Sequence, residues 1–314
     1  MTSVNYEQTY KLNKTAAIII LYLPSNTNLV QLLKSVQGTV NQIFVIDNTP
    51  TLEIAWANDA WFRDHGFVIH YEALGDNFGI AKAQNVGIEM ALQAKCDHVI
   101  FFDQDSEASF GMVEALLAEE QLLLRGGVHV GSVGPVFIDQ KTGTYDTALK
   151  QGFFFVKRIS IKPSDKRPIR VDFVISSGSL IRLAVLHEVG GMMEKLFIDF
   201  VDIEWALRAS SMKNYKHFML PNALMLHSIG DSMLNVGVRK INIHNDTRKY
   251  YIIRNACYLA VNTKIKLKWR VNTIMKIPIY WFVYLISSKN KNILAKLLFK
   301  AVQDGFAGRL GKLN

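Results

Sequence analysis

The chain has few residues that could stabilise a fold covalently and no apolar stretch of membrane-spanning length. Its 314 residues include two cysteines, Cys96 and Cys257. Two cysteines cannot form a disulfide framework or a four-cysteine zinc site, so we expect a reducing, cytoplasmic compartment. The candidate apolar segments are Ala16–Leu23 and Ile277–Ile286, whereas a spanning helix needs about 20 apolar residues. We therefore predict a buried strand at the first segment, with no signal peptide and no membrane span.

Acidic residues are scarce in the last quarter of the chain. Residues 1–238 contain 20 Lys and Arg against 25 Asp and Glu, whereas residues 239–314 contain 16 against 2. The contrast predicts a catalytic domain over 1–238 and a basic, aromatic-rich helical region over 239–314 that binds a surface. A nucleic-acid-binding protein is the alternative class. The acidic body and the lack of a nucleic-acid-binding motif argue against it, and we expect no nucleic-acid partner.

Short apolar runs alternate with helical patterns over the first 105 residues. This succession predicts an open α/β sheet, mostly parallel, with helices on its faces. Ligands of such sheets bind at the carboxyl ends of the strands. The later pattern is less regular and predicts further strands and a helix at Phe200–Ala209. The predicted strands are Ala16–Leu23, Gln42–Ile46, Phe67–Tyr71, His98–Phe102, Val128–Phe137, Phe153–Ile161, Val171–Ile181 (with a turn) and Asn222–His227, and the earlier helices are Asn28–Val36 and Ile80–Leu92.

Two acidic residues follow the predicted strand His98–Phe102. In extended backbone the side chains of Asp103 and Asp105 point the same way, so both carboxylates can converge on one divalent cation. A hard cation held by one or two carboxylates, with water and phosphate oxygens, is the usual arrangement for Mg²⁺ or Mn²⁺. The alternative is a turn in which Asp105 caps the next helix.

A second acidic cluster contains Asp199, Asp202 and Glu204 among large apolar residues. Apolar neighbours desolvate a carboxylate and raise its pKa, which suits a general base. The alternative is an ordinary helix start, with Asp202 as the N-cap and Glu204 paired with Arg208. The two interpretations are compatible, because a residue of the first turn can also be catalytic.

Two further segments carry weaker signals. His227 ends a predicted strand, where it could join a metal site, although a lone histidine is more often structural. Asn77 and Gly79 precede a predicted helix whose amino terminus and Lys82 could favour a diphosphate. A helix cap with a tight turn explains the same residues equally well. No G-x-G-x-x-G sequence follows the first strand, which argues against a nicotinamide-dependent oxidoreductase.

In this order, the segments resemble the family 2 glycosyltransferases of the GT-A fold, over roughly residues 15–255. The resemblance implies an open, mixed but mostly parallel sheet with helices on both faces, followed by a C-terminal helical appendix. Within the family, the chain is most similar to bacterial rhamnosyltransferases of cell-surface polysaccharide assembly. This similarity rests on the segments FFDQDS, FIDFVDIEW, LHSIGD and RKYYIIRN.

The resemblance also implies a role for each matching residue. Asp47 would contact the nucleobase, Asp103 and Asp105 would hold ribose and metal, and Asp202 would be the inverting base. Gln104 departs from many relatives, so whether Asp103 binds the metal or only the ribose stays open. His227 would be a third metal ligand; Asn77, Gly79, Lys82 and Asn85 would bind the donor, Ser177 and Gly178 would line the acceptor side, Asp199, Glu204 and Trp205 would shape the sugar pocket, and Arg248 and Tyr251 would reach the diphosphate.

The expected reaction is a metal-dependent transfer of one sugar. A single base without a second nucleophilic carboxylate predicts one displacement with inversion. The resemblance implies dTDP-L-rhamnose as donor, with a UDP-hexose or UDP-galactofuranose as alternatives. It also implies Mg²⁺ or Mn²⁺ as cofactor and, as acceptor, a hydroxyl of a growing surface glycan such as O-antigen, or of a lipid-linked saccharide. The basic region predicts peripheral contact with the inner face of the cell membrane; packing on a second subunit, as a homo-oligomer, is the alternative.

Overall fold

The structure is a computed structural model. It describes residues 14–50, 58–139, 143–145, 147–151, 156–162, 164–227, 233–236, 239–242, 246–262, 264–288 and 290–313.

Helices and strands alternate in the first half of the chain, and helices alone follow residue 246 in the part described. The helices are α1 (Asn26–Val36), α2 (Asp59–Asp64), α3 (Ile80–Gln93), α4 (Met112–Arg125), α5 (Leu183–Val189), α6 (Val201–Lys213), α7 (Asp246–Val261), α8 (Leu267–Ser287) and α9 (Lys291–Phe306). The strands are β1 (Thr15–Leu21), β2 (Gln42–Asp47), β3 (His70–Ala73), β4 (His98–Asp103), β5 (Ser106–Ala108), β6 (Val130–Asp139), β7 (Ala148–Gln151), β8 (Val156–Ile159), β9 (Ile169–Val171), β10 (Leu180–Arg182), β11 (Lys216–His227), β12 (Met233–Val236) and β13 (Arg239–Asn242).

One mixed sheet forms the centre of the molecule. Its strand order is β3-β2-β1-β4-β10-β6-β11-β5, and β9 pairs with β11 beside this path. Strands β3, β2, β1 and β4 run parallel, as do β6 and β11, while β10 is antiparallel to both of its neighbours. Strands β12 and β13 pair with each other, as do β7 and β8. The sheet is therefore open and mostly parallel, as predicted.

The sheet is covered on both faces. All seven residues of β1 are buried, as expected for a strand between two layers of helices. Helices α1 and α4 pack on one face, where Leu29 and Met112 join its core, whereas α3, α5 and α6 pack on the other. The three-layer arrangement confirms the α/β class that was predicted from the alternating pattern.

Several strand limits differ from the predicted ones because hydrogen-bond pairing, and not apolar content, defines them. β3 begins at His70 and lies at the sheet edge with mostly exposed side chains, so its apolar pattern is weak. The predicted segment Val171–Ile181 divides into β9 and β10. Strand β11 begins at Lys216, six residues before the predicted start, because it pairs with β6 from that residue. Part of Phe153–Ile161, namely residues 153–155, lies outside the described residues.

The last three helices form a core of their own. Residues of α7, α8 and α9 pack around Tyr251, Ile277 and Leu298, and Phe197 joins them from the catalytic region. The apolar run Ile277–Ile286 lies within α8, and among the described helices none is long and apolar enough to span a membrane. The predicted boundary after residue 238 falls at residues 237–238, outside the described part, so it stays a prediction.

Candidate active site

Two acidic residues lie at the same edge of the sheet. Asp47 is the last residue of β2, and Asp103 is the last residue of β4. Both strands run parallel to β1, which pairs Leu21 with Asp47 and Ile20 with Asp103. The carboxyl ends of neighbouring parallel strands form the usual ligand-binding edge of such a sheet. The structure thus places both residues at the edge where the sequence predicts a site.

Asp47 is buried and held by hydrogen bonds. The hydroxyl of Tyr71 donates to its Oδ2 at 2.8 Å, and the backbone amide of Thr49 donates to Oδ1 at 2.9 Å. Burial, and then the hydrogen bond to Asp47, raise the pKa of Tyr71 well above its ordinary value. Asp47 is 3% exposed, so its contact with a nucleobase stays a prediction that requires a bound donor.

The next residue, Asn48, connects β2 to the loop before α3. Its side chain donates to Asn77 Oδ1 at 3.0 Å and accepts from the amide of Phe78 at 2.8 Å. Asn77 Oδ1 also accepts from the amide of Gly79 at 3.0 Å, which closes the turn that starts the helix. The sequence does not indicate this role of Asn48, because nothing in its spacing distinguishes it from an ordinary turn residue.

Helix α3 is fixed to a second loop by its polar side chains. The Asn85 amide donates to the carbonyl of Met192 at 2.9 Å, and Asn85 Oδ1 accepts from the amide of the same residue at 2.8 Å. Asn85 also donates to Glu194 at 3.0 Å, and Lys82 lies 3.4 Å from Glu194. Both side chains therefore bind protein groups in the structure. Their predicted contact with the donor stays a prediction.

The segment Asp103–Asp105, which we call the acid turn, corrects one prediction. Strand β4 ends at Asp103, Gln104 and Asp105 form a turn, and strand β5 follows at Ser106. The side chains therefore do not alternate as in an extended strand. The alternative in which Asp105 starts a helix is also wrong, because the next residues pair with β11.

Gln104 has a clear structural function within the acid turn. Its side chain accepts from the amide of Tyr22 at 2.7 Å and donates to the carbonyl of the same residue at 2.9 Å. It thereby attaches the turn to the chain that leaves β1. An ionised Asp or Glu at this position could accept a hydrogen bond but not donate one, whereas the amide of Gln104 does both.

The acid turn is the part of the site whose chemistry fits a divalent cation. Asp105 is partly exposed, and no described group donates a hydrogen bond to its carboxylate. Strand pairing places the backbone of His227 opposite Ser106, one residue from Asp105; the His227 side chain lies outside the described part. Among the described side chains, no three His, Cys, Asp or Glu groups gather closely enough to hold a metal. Two carboxylates fit an ion that takes its other ligands from water and phosphate oxygens.

Asp202 lies in the first turn of α6 and has the properties of a general base. Its Oδ2 accepts from the amide of Ser176 at 3.0 Å, and Oδ1 accepts from the amide of Ile203 at 2.8 Å. Burial, with a smaller contribution from the charge of Asp199, raises its pKa from 3.8 to about 6. Helix α6 begins at Val201, so the alternative that Asp202 is the N-cap is wrong.

One dipeptide connects the predicted base to the acid turn. The amide of Ser176 donates to Asp202, while the hydroxyl of Ser177 accepts from the amide of Asp103 at 3.1 Å. Ser177 also shares a hydrogen bond with Ser106 at 2.6 Å. Gly178 follows with φ +74°, and a Cβ there would meet Pro135 at 2.5 Å. The structure thus brings Asp202 and Asp103 to two sides of the same short segment.

The residues before α6 form a loop with unusual backbone. Phe197, Asp199 and Phe200 have φ values of +66°, +62° and +64°, which cost energy for residues with a side chain. We call residues 197–200 the base loop, because it leads directly to Asp202. The backbone conformation persists only if surrounding groups hold it.

Helix α7 supplies those groups. The side-chain amide of Asn255 donates to the carbonyls of Leu196, Ile198 and Asp199 at 3.1, 2.8 and 3.0 Å. Arg254 is almost fully buried and donates to the Leu196 carbonyl at 2.9 Å. The sequence analysis missed both residues, although Arg254 and Asn255 end the segment RKYYIIRN on which the resemblance partly rests.

The remaining predicted residues contact protein groups in and near the base loop. Glu204 and Trp205 are buried; Glu204 pairs with Arg208 as predicted, and the indole of Trp205 donates to the Gly190 carbonyl at 2.9 Å. Arg248 forms an ion pair with Asp199 at 3.1 Å. Tyr251 is buried, and its ring stacks on that of Phe197. All four contacts are to protein groups, so the predicted roles in sugar and diphosphate binding stay predictions.

Comparison with known proteins agrees with this geometry. The family model described as glycosyl transferase family 2 matches residues 17–190. The chain belongs to this family. It is 31% identical over 298 residues to the dTDP-rhamnosyl transferase RfbF of Shigella flexneri, covering 94% of this chain and 96% of RfbF.

Solved structures of glycosyltransferases have the same fold at low sequence identity. The S. aureus TarS fragment 1–349 in complex with UDP-GlcNAc has a TM-score of 0.56 at 13% identity, over 94% of this chain and 82% of that one. GalNAc-T7 with UDP, GalNAc and Mn²⁺ has a TM-score of 0.58 at 14% identity, over 90% of this chain and 58% of that one. The fold is therefore GT-A-like, and the protein is a glycosyltransferase that uses a nucleotide-sugar.

Proposed function

We propose that the protein transfers L-rhamnose from dTDP-L-rhamnose to a hydroxyl group with inversion, and that Asp202 is the base. The observation that carries the role of Asp202 is its position: its carboxylate accepts from the amide of Ser176, and the neighbouring Ser177 binds the acid turn. Burial also raises the pKa of Asp202 to about 6. The name of the Shigella relative supports the choice of donor. A UDP-hexose or UDP-galactofuranose is the alternative donor.

Asp202 acts on the acceptor hydroxyl. Above pH 6 it is ionised, and the amides of Ser176 and Ile203 orient the carboxylate. It accepts the proton of the hydroxyl while the hydroxyl oxygen attacks the anomeric carbon. The nearby Asp199 is paired with Arg248, and we assign it to the support of the base loop. One base without a second nucleophile supports a single displacement with inversion.

A divalent cation, Mg²⁺ or Mn²⁺, completes the proposed site. Asp103 and Asp105 would hold it, with His227 as a third ligand. When bound, such an ion neutralises negative charge that develops on a departing diphosphate. The residues of the chain do the rest: Asp47 orients the base of the donor, Asp103 holds its ribose, and Asn77, Gly79 and Lys82 face its diphosphate.

A screen of nucleotide-sugars with Mg²⁺ or Mn²⁺ tests the donor and the metal together. We expect release of dTDP from dTDP-L-rhamnose, loss of turnover in excess chelator, and strong loss in Asp105→Ala. Glu107→Gln, two residues away in β5, is the matched control for removal of a charge. A clear preference for UDP-hexose or UDP-galactofuranose would reject rhamnose, and full activity in chelator would reject the metal.

The product's anomeric configuration tests the stereochemistry separately. Proton NMR of the product formed from dTDP-β-L-rhamnose should show an α-linkage if displacement is single. Retention of the β-configuration would contradict both the inverting mechanism and the role of Asp202 as sole base.

The proposal extends to an acceptor carried on a membrane lipid. Helix α8 presents exposed apolar side chains along one stripe, namely Leu267, Val271, Met275, Phe282 and Ile286. Their spacings of four and seven residues, about one and two helical turns, place them on one face. Basic residues surround them in a region of net charge +14, which complements an anionic leaflet. We propose that this stripe lies on the inner face of the cell membrane.

Vesicle co-sedimentation tests the membrane contact with the full chain. Wild type should pellet with anionic vesicles at low salt and less at high salt, because screening weakens charge attraction. Phe282→Ser should pellet much less. Phe110, between β5 and α4, is even more exposed than Phe282, and Phe110→Ser should behave like wild type. Equal pelleting of both variants would reject the stripe. A concentration-dependent mass that Phe282→Ser abolishes would indicate a homo-oligomer instead.

A further inference from the structure

A cleft separate from the proposed active site lies where α6, β9, β11 and α8 meet. Its space, counted out to solvent, is about 420 Å³. Asp202 is at the start of α6 and the cleft is at its end, so the two are roughly 15 Å apart along the helix at 1.5 Å per residue. The lining includes Arg170, Asp172, Ser211, Lys216, Lys266 and Trp269.

Positive charge dominates this cleft. Arg170, Lys216 and Lys266 line it, and the acid in the described lining is Asp172. The three cations come from different elements: β9, the start of β11, and the residue before α8. They therefore converge through tertiary structure and not through adjacency in the chain.

The cations repel one another at close range. Burial and then the charges of Arg170 and Lys266 lower the pKa of Lys216. Its ammonium donates to the side-chain oxygen of Asn214 at 2.5 Å, and a neutral oxygen does not offset a charge. A bound anion would relieve this repulsion.

Polar and apolar groups around the cations suit a phosphate group. Ser211 and Trp269 belong to the same lining. Ser210 also belongs to it, with its hydroxyl donating to the carbonyl of Tyr215 at 2.9 Å. Helix α8 starts at Leu267, so its first amides and the positive end of its dipole adjoin Lys266. Leu267 also begins the apolar stripe of α8, which places the cleft at the end of the surface that we propose for the membrane.

We infer that this cleft binds a phosphate group, supplied either by a lipid headgroup or by a soluble phosphorylated compound. Three cations with Ser211 beside them match a phosphate monoester or diester. The lipid source rests on the proposed membrane contact, whereas the anion site itself does not.

Thermal unfolding of the full chain tests the anion site. Inorganic phosphate should raise the Tm of wild type above its value in chloride at equal ionic strength, because a ligand of the native state stabilises it. Lys216→Gln and Lys266→Gln should each weaken phosphate binding about tenfold, which corresponds to the loss of one charged contact. Lys291→Gln and Lys296→Gln remove exposed lysines of α9 and should leave the response unchanged.

Vesicles distinguish the two sources of phosphate. If the source is a lipid, vesicles containing phosphatidic acid should bind wild type more tightly than Lys216→Gln, with no such difference for neutral phosphatidylcholine vesicles. If the source is soluble, the variants lose the response to phosphate but bind vesicles like wild type. Phe282→Ser should keep the response to phosphate in either case. If the membrane proposal is wrong, the phosphate response of the cleft can therefore still be tested on its own.

Two results would overturn the inference. One is equal stabilisation of wild type and Lys216→Gln by phosphate, which would indicate general screening. The other is no response of wild type to phosphate or to phosphatidic acid vesicles. Turnover of the donor by the cleft variants should stay near wild type, because the cleft contains none of the proposed catalytic residues.

Discussion

Replacing Asp202 by Asn should abolish turnover. It should also make the stability of the variant relative to wild type depend on pH: above pH 6 the variant should be more stable relative to wild type than it is in acid. The carboxylate is held in a poorly solvated position that raises its pKa from 3.8 to about 6. Folding therefore disfavours its charged form. Asn has no charge to bury, although it replaces one hydrogen-bond acceptor by a donor.

The size of the effect follows from the pKa. Between about pH 4 and pH 6 the native state binds more protons at Asp202 than the unfolded state does, so stability falls as pH rises through this window. At 1.36 kcal/mol for each pKa unit, the full difference is about 3 kcal/mol. The side chain keeps some contact with water, and we therefore expect about 2 kcal/mol. Because the hydrogen-bond change in the variant is the same at each pH, it does not alter this pH dependence.

Chemical denaturation of both proteins at pH 4.5, 6 and 7.5 measures the difference, and steady-state turnover measures the chemistry. The stability of Asp202→Asn relative to wild type should increase with pH, while wild-type kcat should fall below about pH 6. A pH-independent difference would refute the assignment of the raised pKa. Wild-type turnover in Asp202→Asn, with loss in Asp199→Asn or Glu204→Gln, would refute the assignment of the base.

Three contacts around the site give further predictions. Gly79→Ala should lower the free energy of unfolding by about 2–4 kcal/mol, because φ is +87° and the new Cβ would meet base-loop backbone at 2.6 Å. Gly38→Ala, where the new Cβ would enter open space, should lower it less, and chemical denaturation measures both. Asn255→Ala removes three hydrogen bonds to carbonyls and should cost about 2–4 kcal/mol, with kcat reduced more than KM increased. Lys312 pairs with Asp76 at 3.0 Å. Reversal of either charge should lower the Tm slightly and raise the donor KM, and the double reversal should restore both; no recovery would contradict the pairing.

Local pattern was sufficient for much of the fold. Burial of β1 on both faces follows from its unbroken apolar run, and α1 and α3 follow from their helical spacing. Strand β3 and the start of β11 could not be located in this way. Their residues are polar or mixed, and their partners lie far away in the chain, so only the pairing defines them.

The chemistry of the site likewise has a part that local sequence determines and a part that only the folded chain determines. The sequence alone determined which acids are available, Asp47, Asp103, Asp105 and Asp202, because residue type and position after a strand or before a helix are local properties. It also determined the family, through the order of those segments. Residue types and their order along the chain can be read without knowing the fold.

Tertiary structure decided how the acids are held and what their environment does. Only the folded chain brings Ser176 and Ser177 between Asp202 and Asp103, places Asn255 of α7 against the base loop, and turns Gln104 toward Tyr22. Burial, which raises the pKa of Asp202, depends on residues from distant segments that pack around it. Such contacts join residues dozens of positions apart, and a local sequence pattern does not specify which distant side chain will pack against a given residue.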